Sequence, residues 1–193
     1  MKVAIIKYNA GNVRSVIFAL ERLGVQPLLT DDPEEIRKAD KVIFPGQGEA
    51  KTAMRYLGEK GLDLLIPSLK QPFLGICLGL QLMCRHSEEG DTPCLGLFDI
   101  AVKRFEPKLK VPHMGWNLLE ERKGPLFDHL DEQAYMYFVH SYYAGTGPDT
   151  TAKTNYVNDF SAAIHKDNFY ALQGHPEKSG KTGEQILKNF LAL

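Results

Sequence analysis

Short apolar runs and amphipathic stretches alternate along the first third of the chain. Apolar runs of strand length lie at residues 2–7, 26–29 and 41–44, and stretches with apolar positions every three or four residues lie at 13–23 and 33–38. Asn12 precedes the first amphipathic stretch and Gly24 follows it, as is typical of a helix N-cap and a helix stop. This order of strand, helix, strand, helix, strand predicts an α/β fold with a parallel sheet.

The rest of the chain is organised around a cysteine between two glycines. Phe73–Ile76 is a short apolar run that predicts a buried strand, and residues 78–85 are good helix formers. Cys77 stands between them in the pattern Gly-x-Cys-x-Gly. With serine in the middle, this pattern forms a nucleophile elbow, a tight turn that lifts one side chain out of the sheet edge.

The predicted position of Cys77 would also activate its thiol. Unpaired N–H groups and the helix dipole favour negative charge at a helix N-terminus, and the thiolate is the nucleophilic form of cysteine. The N–H of Leu78 would point to the place where an oxyanion forms. The alternative is a buried structural cysteine, which the flanking glycines and the polar Gln81 disfavour.

A second glycine-containing segment, residues 45–49, lies between the third predicted strand and a helical stretch at 50–57. Its sequence is Pro-Gly-Gln-Gly-Glu. Such a segment can hold a phosphate, supply an N–H group to an oxyanion, or form a simple turn. It has neither the Gly-x-Gly-x-x-Gly pattern nor that of a P-loop, and no cofactor is predicted.

The second half of the chain predicts a smaller antiparallel section beside an open, mostly parallel (mixed) central sheet with helices on both faces. Strand-like runs lie at residues 95–105, 133–140, 152–157, 161–165 and 169–173. Residues 110–117 are interpreted as a glycine-containing loop, in which the lone Trp116 would be a poor core anchor. Thr182 and Gln185 match a capping box and predict the start of a closing helix. Because no linker or repeat interrupts the pattern, residues 1–193 are predicted to form one domain.

Composition excludes several classes of protein. Of the 193 residues, 44% are hydrophobic and 24% are charged, and the net charge of −1 gives no sign of binding to nucleic acid or an anionic membrane. No apolar run approaches the ~20 residues of a membrane span. The three cysteines include no Cys-x-x-Cys pair, so no metal site is predicted and a reduced, cytoplasmic protein is the simplest interpretation.

A cysteine nucleophile needs a base, and one of the six histidines has a suitable setting. His175 follows a predicted strand, Pro176 stiffens the turn, and Glu177 comes two positions later. A carboxylate beside an imidazole fixes its tautomer and stabilises imidazolium. The alternative interpretation makes His175 and Glu177 a solvated pair in a loop.

Taken together, these segments resemble the class I (triad-type) glutamine amidotransferases over nearly the whole chain. The resemblance is carried by residues 45–48, 75–81 and 174–177. It implies that Cys77 attacks the side-chain amide of glutamine, that His175 takes the thiol proton and gives it to departing ammonia, and that Glu177 orients His175. Water then cleaves the glutamyl thioester.

The same resemblance implies how glutamine is held. The predicted oxyanion donors are the N–H groups of Leu78 and of the segment containing Gln47 and Gly48. The predicted contacts to the α-amino and α-carboxyl groups are Gln81, Glu89 and the backbone of Ser141 and Tyr142. Gln47 departs from the family pattern, which commonly has a small branched residue at that position, and this leaves open how the second oxyanion donor is switched.

Within the family, the chain is similar to the branch that serves histidine biosynthesis. That similarity is carried by segments 8–12, 112–117, 137–142 and 177–180. It implies a heterodimer in which ammonia passes into a separate cyclase subunit, a (β/α)8 barrel, to form imidazole glycerol phosphate and an aminoimidazole carboxamide ribonucleotide. At 193 residues the chain has no room for such a barrel, which takes about 250. The predicted contacts with the cyclase are Asn12, Trp116 and Lys178.

Three other interpretations remain open. A subunit that supplies ammonia for pyridoxal phosphate, anthranilate or guanylate synthesis would share the triad but should lack the segment 113–117. A cysteine peptidase or chaperone of related fold would share the elbow, but it would not be expected to carry His-x-Glu near the C-terminus. A non-catalytic binding module is disfavoured because every position of the triad is filled.

Overall fold

The computed structural model describes residues 1–8 and 13–193. Helices and strands alternate in the first part of the chain, whereas strands predominate in the second part. In chain order the elements are β1 (Val3–Ile6), α1 (Val13–Arg22), β2 (Leu28–Thr30), α2 (Pro33–Arg37), β3 (Lys41–Phe44), α3 (Ala50–Glu59), α4 (Leu62–Leu65), β4 (Phe73–Ile76), α5 (Leu78–Met83), β5 (Cys84–Ser87), β6 (Thr92–Pro93), β7 (Phe98–Arg104), β8 (His113–Leu118), β9 (Tyr135–His140), β10 (Tyr142–Ala144), β11 (Thr150–Asn155), β12 (Asp159–Lys166), β13 (Phe169–Leu172) and α6 (Gly180–Ala192). Asn12, predicted as a helix cap and as a partner contact, lies outside the described residues.

Among the described residues, seven strands form the central sheet in the order β11-β12-β13-β4-β3-β1-β2. The strands from β13 to β2 in that order run parallel to their neighbours, whereas β12 and β11 add antiparallel pairs at one edge. The predicted open, mostly parallel sheet is therefore confirmed. β4 lies in the middle of the sheet, so its carboxyl end is a suitable place for a binding site.

Side chains of the parallel strands alternate between two cores, one on each face of the sheet. Val3 and Ile5 of β1 belong to the core that includes buried residues of α1 and α6. Ala4 and Ile6, which point the other way, belong to the core that includes α2, α3 and α5. Helices therefore cover both faces, as expected for strands whose residues are apolar without alternation.

The predicted smaller section consists of two further sheets. Four strands pair in the order β10-β7-β5-β6, and β8 pairs with β9. These pairs are antiparallel except for β5 with β7, which is parallel. Both sheets lie on the chain between α5 and β11, after the elbow and before the edge strands, and they supply one wall of the pocket described below.

Three local predictions were wrong. The helix after Cys77 ends at Met83 and not at residue 85, because Cys84 begins β5. Trp116 lies within β8 and not in a loop, because β8 pairs along its whole length with β9. The capping box is absent, since α6 begins at Gly180, before Thr182. No helix in the described part of the chain is long and apolar enough to cross a membrane.

Candidate active site

Cys77 forms a strained elbow between β4 and α5. Its φ of 54° and ψ of −106° lie outside the regions that a side-chain-bearing residue prefers, a strain that costs on the order of 1–3 kcal/mol. The N–H of Cys77 donates to the carbonyl of Leu172 at 2.7 Å and holds the turn against β13. Gly79 allows α5 to approach the sheet, because a Cβ there would lie 2.0 Å from the carbonyl oxygen of Phe44.

A pocket of about 440 Å³ opens in front of this elbow. It brings together residues that are far apart in the sequence, from the ends of β3 and β4, from α5 and from the loops around β9 and β10. Its lining includes every predicted oxyanion and glutamine-binding residue together with the nucleophile: Gln47, Gly48, Cys77, Leu78, Gln81, Glu89, Ser141 and Tyr142. The volume is in the range of small-molecule sites.

The glycine-containing segment after β3 packs directly on the elbow. A Cβ on Gly46 would lie 2.5 Å from Cβ of Leu78, so only glycine fits at this contact. Gly48 has a φ of 143°, which also favours glycine. The hydroxyl of Tyr8 donates to the carbonyl of Pro45 and anchors the start of the segment. The N–H of Leu78, as the first residue of α5, has no acceptor within the helix.

His175 and Glu177 form a buried pair rather than a solvated one. Nδ1 of His175 lies 2.8 Å from Oε1 of Glu177, and the two side chains are 1% and 4% exposed. Because a carboxylate can only accept, Nδ1 carries the proton and Nε2 is left to exchange a proton with another group. Nε2 of His175 and Oε2 of Glu177 have no hydrogen-bond partner among the described residues.

Charge around His175 favours its protonated form. Burial alone lowers the pKa of His175, but the side chains of Cys77 and Glu177 outweigh burial and raise the pKa to about 10. Although Cys77 makes no hydrogen bond to His175 in the structure, it lies close enough to act on the imidazole electrostatically. The arrangement therefore stabilises an imidazolium at His175.

The turn that carries His175 is fixed to β9. The hydroxyl of Ser179 donates to the carbonyl of His175 at 2.6 Å and accepts from the N–H of Tyr137 at 2.9 Å. Trp116 packs edge-on against the ring of Tyr137, with centroids 6.1 Å apart, yet remains 56% exposed. Lys178 is half-buried in the same turn. Trp116 is thus connected through Tyr137 to the segment that holds His175, and Lys178 lies within that segment, its N–H donating to the carbonyl of His175.

The predicted glutamine contacts are already part of a polar network. Nε2 of Gln81 donates to the carbonyl of Tyr142 at 2.8 Å, and the carbonyl of Ser141 accepts from the N–H of Phe105 at 3.0 Å. Oε2 of Glu89 accepts from the first N–H of α3 at 2.7 Å, while burial raises the pKa of Glu89. Glu89 forms no ion pair with any described residue, and a partly buried carboxylate of this kind is a strong acceptor for an ammonium group.

Sequence reasoning missed two parts of the site. Gln173 is fully buried, accepts from Gln81 at 3.2 Å and directs its Nε2 toward Sγ of Cys77 at 3.7 Å. His113 and His140 are buried beside the pocket and bonded to each other. A polar residue at the end of an apolar strand was the available signal for Gln173, whereas nothing local indicated that two histidines 27 residues apart would meet.

Comparison with known proteins identifies the class. A model of the glutamine amidotransferase class-I family matches residues 4–193. The chain belongs to this family and is a glutamine amidotransferase. It is 59% identical to the imidazole glycerol phosphate synthase subunit HisH of Bacteroides thetaiotaomicron, over all of both chains. It is 60% identical to the protein of the same name from Bacteroides fragilis, again over both full lengths.

Solved structures agree with the fold. A crystal structure of a glutamine amidotransferase superposes with a TM-score of 0.77 at 19% identity and covers 98% of this chain and 97% of its own. The glutaminase domain of Trypanosoma brucei CTPS with bound acivicin gives a TM-score of 0.69 at 14% identity, covering 100% and 94%. At these identities the likeness supports the fold alone, and the identification depends on the family match and the Bacteroides relatives.

Proposed function

We propose that this chain is the glutaminase subunit of an imidazole glycerol phosphate synthase. It hydrolyses glutamine to glutamate and ammonia, and the ammonia passes to a cyclase subunit, a (β/α)8 barrel, for histidine biosynthesis. The observation that carries the proposal is the strained Cys77 elbow, which faces a pocket and is electrostatically coupled to the buried His175–Glu177 pair. One domain spanning residues 1–193, in the cytoplasm, suffices for this half-reaction.

Cys77, His175 and Glu177 divide the chemistry between them. Cys77 gives its thiol proton to Nε2 of His175, and the thiolate attacks the side-chain carbonyl carbon of glutamine. The carbon–nitrogen bond breaks as His175 returns the proton to the departing ammonia, which leaves a thioester on Cys77. Water, deprotonated by His175, then releases glutamate and restores the thiol. Glu177 keeps Nδ1 protonated throughout, so Nε2 always faces the reaction.

Two N–H groups would stabilise the oxyanion. One is that of Leu78, which has no acceptor within α5 and belongs to a residue that lines the pocket. The other comes from the segment containing Gln47 and Gly48, where the backbone of Gly48 is free to adopt positive φ. Each well-placed donor contributes about two to three decades in rate, so a rotated peptide in this segment would nearly silence the enzyme.

The amino acid head of glutamine would be held at the other end of the pocket. Glu89 supplies the negative charge that an α-ammonium group needs. The carbonyls of Ser141 and Tyr142 accept hydrogen bonds from within the protein, so their N–H groups are the groups suited to the α-carboxylate. Gln81 fixes this loop through the Tyr142 carbonyl and lies at the same end of the pocket.

The cyclase would dock over the face that carries Trp116 and Lys178, with Asn12 as a third contact. A large, exposed aromatic residue beside a cation is typical of an interface anchor. Ammonia that escaped into water would be protonated and lost as a nucleophile, so the docking face has to seal the pocket. The Bacteroides relatives, named as subunits of a synthase, favour this partner over the subunits for pyridoxal phosphate, anthranilate or guanylate synthesis.

The test measures glutamate release by this chain alone, with the cyclase, and with the cyclase plus its nucleotide, while product formation is followed in parallel. We expect little release alone and the highest rate in the full mixture. The Cys77→Ala complex should form no product from glutamine yet still form it from added ammonia. Product from glutamine in that variant, or equal rates in all three mixtures of the wild type, would contradict the proposal.

Trp116→Ala separates docking from chemistry. In the full mixture it should release glutamate but lose part of the product formed per glutamate, because the seal is weakened. Leu64→Ala is the matched control, since Leu64 is an exposed apolar side chain of α4, which does not line the pocket. A Trp116→Ala complex with unchanged coupling would remove Trp116 from the proposed interface.

A further inference from the structure

Two buried histidines form a pair at the wall of the pocket, which His140 lines. His113 on β8 and His140 at the end of β9 are 3% and 5% exposed, and Nδ1 of His113 lies 3.1 Å from Nε2 of His140. The ring of His113 stacks between Phe138 and Tyr156, with centroid distances of 5.1 and 4.1 Å. Such packing fixes the plane of the ring and therefore the direction of its hydrogen bonds.

The partners of the pair allow only one arrangement of protons. Nδ1 of His140 lies 2.7 Å from the carbonyl oxygen of Tyr142, which can only accept, so Nδ1 of His140 carries a hydrogen. In a neutral ring, Nε2 of His140 is then an acceptor, and Nδ1 of His113 donates to it. Nε2 of His113 is left to accept from the side-chain amide of Asn117, at 3.4 Å. Every donor in this series points toward the pocket.

Both rings remain neutral at physiological pH, which keeps the series intact. Burial lowers the pKa of His113 to about 4. Burial is also the main cause that lowers the pKa of His140 to about 3, with a smaller contribution from the nearby His113 and His175. A protonated His140 would place a second cation beside His175, and a protonated His113 would have no acceptor at Nε2.

The series ends on a group that the glutamine pocket depends on. The carbonyl of Tyr142 accepts both from His140 and from Nε2 of Gln81. Gln81 also donates to Gln173, whose own amide is directed at Sγ of Cys77. The position of the Tyr142 carbonyl thus helps to set the position of Gln81.

We propose that His140, oriented by His113, is a positioning residue that fixes the Tyr142 peptide and, through it, Gln81 for glutamine binding. The inference rests on the proposed glutaminase function. Neither histidine needs to touch glutamine. Their role is to hold the carbonyl of Tyr142 in the wall of the pocket. Without His140, Gln81 would be the one described residue that donates to this carbonyl.

The experiment compares His140→Ala with His140→Asn in the complex with the cyclase and its nucleotide. The amide nitrogen of asparagine can replace Nδ1 as donor to Tyr142, whereas alanine offers no donor. Both variants leave a similar space in the aromatic cluster, so both should lose stability in urea unfolding. His140→Ala should raise KM for glutamine about tenfold, the usual effect of one lost buried hydrogen bond. His140→Asn should raise KM much less, because the amide replaces most of the lost interaction.

Three further measurements complete the test. The rate of Cys77 alkylation by iodoacetamide, which has no α-amino or α-carboxyl group to bind, should be unchanged in folded variants. His165→Asn is the matched control, because His165 lies on β12 and stacks on Tyr170 away from the pocket lining. In the free wild-type chain, ¹⁵N NMR should show His113 and His140 in the Nδ1–H form.

The inference and the proposed function fail in different ways. A wild-type complex that does not hydrolyse glutamine would overturn both. An active complex in which His140→Ala keeps its KM, or in which asparagine is no better than alanine, would overturn the positioning role alone. If ¹⁵N NMR showed His140 in the Nε2–H form, that result would also overturn the positioning role, whatever the activity.

Discussion

Gly79→Ala is the substitution that best tests whether the elbow depends on close packing of helix on sheet. Gly79 is the second residue of α5, and a Cβ there would lie 2.0 Å from the carbonyl oxygen of Phe44 and 3.1 Å from its carbonyl carbon. Real Cβ contacts are essentially never shorter than 3.0 Å, so α5 must withdraw by about 1 Å. The obstacle is the backbone of a central strand, which cannot rotate away as a side chain can.

The size of the effect follows from two opposing terms. Replacing glycine by alanine within a helix normally stabilises by up to ~1 kcal/mol. Overpacking against a rigid neighbour costs ~3 kcal/mol, which leaves a net loss of about 2 kcal/mol. For a chain of this length, that loss lowers Tm by roughly 4–8 °C. A shift of about 1 Å would also displace Cys77 and the N–H of Leu78, and a misplacement of that size costs ~10²-fold in rate.

Gly58→Ala is the matched control, because it makes the same chemical change in another helix. Gly58 lies in α3, is exposed, and a Cβ there would meet only ordinary contact, with the carboxylate of Asp63 at 3.8 Å. We expect Gly58→Ala to be stabilised by ~0.5–1 kcal/mol with unchanged activity. Urea unfolding followed by circular dichroism gives the stabilities, and glutamate release in the full complex gives the rates. Equal stability and activity of the two variants would refute the packing argument.

The remaining predictions concern the triad and the buried histidines. Cys77→Ala should abolish glutamate release without unfolding, and a diazo-ketone analogue of glutamine should label Cys77 and spare the other two cysteines, as peptide mass mapping would reveal. His175→Ala should lose several orders of magnitude in kcat and Glu177→Gln fewer, since the orienting group matters less than the base; kcat near wild type in both would place the base elsewhere. His113 and His140 bind protons more weakly in the folded protein than in the unfolded chain. Their contribution to the free energy of unfolding is therefore complete above pH ~6.5, and it is lost as the pH falls toward their pKa values in the folded protein, about 4 and about 3. Urea unfolding from pH 7 to 4.5 should show this loss, up to ~1.4 kcal/mol per pH unit for each histidine, and a flat profile would contradict it.

Elements defined by local sequence were predicted well. The strand Phe73–Ile76 has the predicted bounds because a short apolar run is limited by Pro72 on one side and by the glycine-flanked Cys77 on the other. The end of α5 was missed because its residues continue as good helix formers beyond Met83. Residues 94–97 end the helix: their N–H groups donate to carbonyls of residues 82–85, at 2.9–3.1 Å. The competing donors lie 9 to 14 residues further along the chain, and helix propensity does not take contacts at that distance into account.

The strand β8 was missed for a similar reason. Pro112 and Gly115 suggested a loop, whereas pairing with residues of β9 that lie 17 to 27 positions later forms a ladder from His113 to Leu118. Once the strand exists, its period of two explains the residues on it. His113 faces inward to the aromatic cluster, and Trp116 faces outward and remains exposed. The sequence element was recognised by resemblance, but its geometry depends on a partner strand that the local pattern does not specify.

Several features that lower stability lie around one pocket. Cys77 holds a positive φ, the His175–Glu177 pair is buried with one polar atom on each side chain unpartnered among the described residues, and His140 is buried at the cost of its charge. Each of these costs on the order of 1–3 kcal/mol, a large amount for a domain whose net stability is about 5–15 kcal/mol. Their position around the end of β4 is what a fold organised to hold a reactive cysteine, an imidazolium and a fixed peptide wall requires.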